Sequence, residues 1–150
     1  MILRDSVGAV IFSACRTLYY CRDALEAELC ACMEGLSFAI QRSDLPIEVE
    51  MDSSNVVSMI SCEEMDRSVY APLVGEVKHL LSLRKFCITH VPRTQNLASD
   101  CLASFARLKN RTMTWLGSGP PEVLEIANSD CMNIIIEYYK FDSRNFFEVL

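Results

Sequence analysis

The chain has 150 residues, of which 51% are hydrophobic and 23% charged, the make-up of one globular domain with a core and not of a disordered tail. Its net charge is −6 and its pI near 4.9, which argues against a tight hold on a nucleic-acid backbone, because that affinity comes chiefly from clustered Lys and Arg. The longest apolar runs are too short to span a bilayer.

In chain order, the apolar run Val7 to Ala14 and the β-prone run Thr17 to Cys21 predict a hairpin. Asp23 with Glu26 three residues on makes an acceptable capping pair for a helix from Ala24 to about Arg42, whose apolar face is Leu25, Leu29, Cys32, Leu36 and Ala39 or Ile40. Glu28 lies beside that stripe. Leu45-Pro46 ends the helix, and Ile47 to Met51 predicts a strand that delivers Asp52 at its carboxyl end. Ser53 and Ser54 are suited to cap a short helix through Ser61. The acidic stretch Cys62 to Asp66 reads as a solvated turn, and Leu73, Val77, Leu80 and Leu81 as an amphipathic helix. Phe86 to Val91 is a strand stopped by Pro92, and Asn96 stands near the start of a helix with Leu97, Cys101, Leu102 and Phe105 on its apolar face. Glu122 to Ala127 is a short helical segment, and Ile134 to Phe141 has the β-branched and aromatic content of a buried strand.

Eight cysteines fall mostly inside apolar periodic segments, with no C-x-x-C pair. They read as free thiols in a reducing compartment, not as a disulfide framework or a zinc site. The first twenty-two residues read as strands and not as a signal or transit segment. An intracellular protein of cytoplasm or nucleus is expected, not a secreted one, with a mitochondrial address as the lesser alternative.

The most informative stretch runs from His90 to Ala103, His-Val-Pro-Arg-Thr-Gln-Asn-Leu-Ala-Ser-Asp-Cys-Leu-Ala, where a histidine, an amide and a carboxylate follow one another from a strand into a helix. With Ala24 to Leu29, Glu34-Gly35-Leu36 and Glu50 to Ser54, it resembles the plant reverse-transcriptase-like RNase H domains over roughly Met1 to Ala127. The resemblance implies an α/β fold, an RNase H-like mixed β-sheet flanked by helices. It also implies carboxylates that hold a pair of Mg²⁺ or Mn²⁺ ions about 4 Å apart for phosphodiester hydrolysis. Glu28, Asp52 and Asp100 match three of the family's four metal-binding carboxylates. His90 matches a histidine that shuttles a proton near the departing product, and Asn96 a substrate-binding position. Singly, each residue reads as ordinary: Glu28 as a solvated acid, Asp52 as a turn residue, Asp100 as a surface position and His90 as a packed strand histidine. In family order they read as one site.

The family's opening strand, which carries the fourth carboxylate, has no counterpart here. In the family that strand is central, between the hairpin and the strand ending at the Asp52 position, and its loss leaves two backbone edges unpaired. Residues 134–141 are expected to replace it, from the same chain or from a second copy, in which case Asp142 is a candidate fourth carboxylate. The expected organisation is a truncated RNase H-like domain over 1–127 and a C-terminal extension over 128–150 packed on it.

Two functions follow. One is a degenerate RNase H-like protein, derived from a retroelement-type domain. It is catalytically impaired and acts as a regulatory or toxic small protein through a protein partner or a homodimer, by an open sheet edge or the C-terminal tail, with no cofactor. The other is a Mg²⁺- or Mn²⁺-dependent endoribonuclease that hydrolyses the RNA strand of RNA–DNA hybrids, a substrate the acidic pI disfavours. No membrane association is expected.

Overall fold

Asp5 closes the first turn of the chain. Its carboxylate accepts from the backbone N–H groups of Val7 (3.0 Å) and Ala9 (2.8 Å), and Gly8 takes the positive φ of 82° that the reversal needs. The computed structural model describes residues 1–18, 20–138 and 147–149. In it β1 (Ile2–Arg4) runs back antiparallel along β2 (Val10–Cys15). The predicted hairpin was displaced by one strand: Val7 belongs to the turn, and residues 17, 18, 20 and 21 lie outside any strand. The reason is local, since the Asp5 side chain makes a tight turn just upstream, while the Thr17 N–H is taken by the Thr112 hydroxyl at 3.3 Å.

Helix α1 (Ala24–Arg42) begins at Asp23, whose side chain accepts from the Glu26 N–H at 3.0 Å, an N-cap that satisfies one of the helix's orphan donors. It buries Leu29, Cys32, Leu36 and Ala39, the stripe expected from the 3.6-residue period. β3 (Ile47–Met51), α2 (Ser54–Ser61), α3 (Ala71–Ser82) and β4 (Phe86–His90) follow. Ser53 is the residue before α2 but makes no side-chain cap bond. A single 3-10 turn (Arg93–Gln95) leads into α4 (Leu97–Lys109). That helix ends where Asn110 adopts the left-handed conformation (φ 48°), a role Asn tolerates. β5 (Met113–Leu116) and α5 (Pro121–Tyr138) come next, then β6 (Phe147–Val149).

Among the described residues six strands form one sheet in the order β4-β3-β6-β1-β2-β5. Helices α1, α2 and α3 cover one face, where Leu3, Phe12, Ile47 and Val49 meet Leu29, Leu36, Val56, Val74 and Val77. On the other face Ile2 and Cys15 pack with Ala98, Leu102 and Ala106 of α4 and Val123 and Ala127 of α5. Arg4 is fully buried on β1, and its Nη1 donates to the Ala127 carbonyl at 3.2 Å, so α5 is tied to the sheet by a charge-assisted bond as well as by packing.

The centre of the sheet holds the main correction. The strand between β1 and β3 is β6, antiparallel to β1 and parallel to β3. The C-terminal segment expected in the sheet does enter it, but with Phe147–Val149, between β1 and β3, and not with residues 134–141. Ile134 to Tyr138 continue α5 as helix, while positions 139–141 and Asp142 lie outside the described residues. No Pro or Gly interrupts the chain between Pro121 and Tyr138, and the few tenths of a kcal/mol by which a β-branched residue disfavours helix do not stop a helix already under way. For the same reason α5 crosses the expected boundary at 127/128 without a break.

Candidate functional site at the carboxyl ends of β3 and β4

β3 and β4 are parallel and in register from Ile47 opposite Phe86 to Met51 opposite His90. The pairing extends one step further, with the Val91 N–H donating to the Met51 carbonyl at 2.9 Å. Asp52 and the His90-Val91-Pro92 segment therefore leave the sheet side by side. Pro92 cannot donate to a continuing ladder, and its carbonyl accepts from Gln95 (2.8 Å) to open the 3-10 turn. Asn96 then starts α4, its carbonyl accepting from the Asp100 N–H at 3.1 Å.

Asp52 is exposed, as is His90, so His90 is not the packed strand histidine that its alternation with Phe86 and Ile88 left open. Asp100 stands in the first turn of α4, where a carboxylate complements the positive end of the helix. Its side chain forms an ion pair with Arg93 of the 3-10 turn, with the two side chains 36% and 66% exposed respectively. The Arg93 guanidinium holds its proton more firmly than usual, first through the hydrogen bond and charge of Asp100 and further through the charge of Asp52. One cation thus lies in the field of both acids. Arg93 is the site residue that sequence reasoning passed over. The signal was present, a cation just after the strand-ending proline and seven positions before a helix-start aspartate, but only the folded turn brings the two together.

Asn96, expected as a substrate contact, is buried (6% exposed), with its Oδ1 and the neighbouring Ser99 Oγ lacking a protein partner. Glu28 is half-buried on α1, and its side chain makes no hydrogen bond or ion pair among the described residues. No group of three or more His, Cys, Asp or Glu side chains among the described residues is close enough to hold a metal ion. Asp52 and Asp100 are hard oxygen donors of the type Mg²⁺ or Mn²⁺ takes, and the Asp100 carboxylate is paired with Arg93. The four-carboxylate, two-ion arrangement does not fit what the described residues bring together.

A sheet of this order with helices on both faces, Asp52 following β3 and Asp100 in the first turn of α4, is an RNase H-like fold. A family model described as reverse transcriptase-like matches residues 1–106, and the chain belongs to that family. The matched region ends within α4, so β5, α5 and β6 lie beyond it. No curated protein and no solved structure matches the chain. Among the described residues no helix is long and apolar enough to cross a membrane.

Proposed function

We propose that this chain is an RNase H-like domain impaired in phosphodiester hydrolysis, which works through protein–protein contact as a regulatory or toxic small protein. The observation that carries the impairment is the register of β6. Position 148 stands opposite Glu48, four residues short of Asp52, or roughly 13 Å at the rise of a parallel strand. Glu148, the acid that the described part of this strand carries, is therefore level with Glu48 and not with Asp52. Losing one member of a group that acts as a unit removes most of the rate.

The contact role is supported by β4. It is an edge strand whose residues are exposed on both faces save for a half-buried Ile88, and Phe86 is 43% exposed. Such an edge offers unpaired N–H and C=O groups to a strand from a protein partner or a second copy. The net charge of −6 disfavours an RNA–DNA hybrid as the ligand. A second reading, a Mg²⁺- or Mn²⁺-dependent hybrid ribonuclease, is favoured by one observation: Asp52, His90 and Asp100 collect at the same end of the β3–β4 pair.

Incubating the protein with a labelled RNA–DNA hybrid in Mg²⁺ and in Mn²⁺, beside Asp52→Asn and Asp142→Asn, separates the two. The impaired domain predicts no cleavage above the Asp52→Asn background. Cleavage abolished by both substitutions would establish the enzyme, with the tail completing its carboxylates.

A further inference from the structure

β4 closes one side of the sheet, and its outer edge pairs with no strand among the described residues. The ladder to β3 fixes which of its backbone groups face outward. The Lys85 carbonyl accepts from the Ile47 N–H and the Val91 N–H donates to the Met51 carbonyl, both at 2.9 Å. In a parallel ladder the residues that bond the neighbour alternate with residues whose groups point the other way. Phe86, Ile88 and His90 therefore aim both N–H and C=O away from β3, and they are spaced evenly about Ile88. Such an edge is complementary to itself. Resting on the contact role proposed above, we infer that it is the interface with a second copy of this chain, joined antiparallel about a two-fold axis at Ile88.

In that register Ile88 faces Ile88 of the second copy and Phe86 faces its His90, in pairs that exchange both backbone bonds. No outward group of the strand is left over. Ile88 is half-buried against the main core and Phe86 is 43% exposed, so each gains cover from the residue opposite. Sheet edges are ordinarily blunted by Lys, Pro or a bulge, whereas Phe86–His90 has none of these and pairs with β3 without a break in register. The charges at the two ends of the edge favour a second copy over an unrelated strand. At the amino end Arg84 and Lys85 stand against Asp44, which pairs with Arg84. The segments leaving the carboxyl ends of β3 and β4 carry Asp52 and Asp100 against Arg93, which pairs with Asp100. One end is thus left positive and the other negative, and antiparallel pairing sets each positive end beside a negative one. Lys85 comes opposite Val91 of the second copy, which is bonded to the residue before Asp52. Opposed ends of this kind set orientation and register more than affinity. A contact through five residues per copy belongs with weak, exchanging complexes.

Sedimentation velocity of the full chain across the micromolar range, with reductant present to exclude disulfides, is expected to show a monomer passing into a dimer. Ile88→Pro removes an outward N–H and no bond to β3, and it is expected to remain monomeric throughout. Thr89→Cys reads the register itself. Residue 89 stands opposite Cys87 of the second copy, at a separation a disulfide spans, so oxidised glutathione is expected to give a covalent dimer joined through positions 87 and 89. His90→Cys, set opposite Phe86, is expected to give none. A parent that stays monomeric at the highest concentration would overturn the inference and leave the edge to a strand of another protein. Dimers that persist in Ile88→Pro with its unfolding curve intact would overturn it too, and if that variant does not fold, the absence of an 87–89 crosslink in Thr89→Cys would do so. These failures differ from that of the contact role, which cleavage of the RNA–DNA hybrid would remove.

Discussion

β3 and β6 lie side by side and parallel in the middle of the sheet, yet they are held in different ways. β3 pairs along five residues with β4 and along three with β6, alternates Ile47 and Val49 inward with Glu48 and Glu50, and ends at an exposed acid. β6 is three residues long, pairs along two of them with β1, and comes from beyond the region shared with the family. One strand is specified by its own pattern and by the helices over it. The other is specified by the gap it fills, since two unpaired edges in a sheet centre are costlier than a short, late-arriving strand.

That difference can be broken from the β3 side first. Leu36 is fully buried in the cluster beneath α1 that also takes up Ile47 and Val49, and Leu36→Ala is expected to cost about 2–5 kcal/mol in urea unfolding. A loss well under 1 kcal/mol would mean that this face is not the main core.

The β6 side is broken through its backbone. Glu148→Pro removes an N–H between two neighbouring strands, and a proline there is expected to cost roughly 3 kcal/mol or more. An unchanged unfolding curve would show that the tail does not lie between β1 and β3.

Thiol chemistry sharpens the comparison with the covered face. Burial pushes the Cys32 thiol up to about 12, so almost no thiolate exists at pH 8 and the residue is shielded as well. Cys62 and Cys87 are exposed. Mass spectrometry after brief iodoacetamide treatment of the native protein is expected to find both alkylated and Cys32 untouched. Early labelling of Cys32 would mean that α1 does not stay docked.

The smallest effect belongs to the cap of α1. The Tyr70 hydroxyl and then the Glu26 N–H hold the Asp23 carboxyl below its ordinary value of 3.8. A depressed folded value gives stability that is complete above the unfolded value and disappears as pH falls through the folded one. Asp23→Ala should therefore lower the melting temperature by a few degrees at pH 7, and the gap should close toward pH 2. A gap that stays constant with pH would assign the effect to something other than the charged cap.

What was legible in the chain follows the same division. The face of α1, its Asp23 cap, the strand before Asp52 and the helix carrying Asp100 were readable because each rests on contacts a few residues apart. The first hairpin was misplaced because its turn depends on one side chain, Asp5, reaching two backbone N–H groups. The Ile134-Ile135-Ile136 run misled because β-preference is mostly a matter of surroundings. Nothing local marks Phe147–Val149 as a central strand, and that place is settled by pairing across more than a hundred residues. At the site, the acids were legible from their spacing, whereas the hold of Arg93 on Asp100 needed the turn between them.

Hydrogen exchange at the amides of Phe147–Val149, measured by NMR beside those of Ile47–Met51, tests the central claim most directly. A strand paired on both sides in the middle of the sheet predicts protection of both segments, lost together on global unfolding. Exchange of 147–149 at the rate of an unstructured tail, with 47–51 still protected, would contradict it and would leave the edges of β1 and β3 open to another strand.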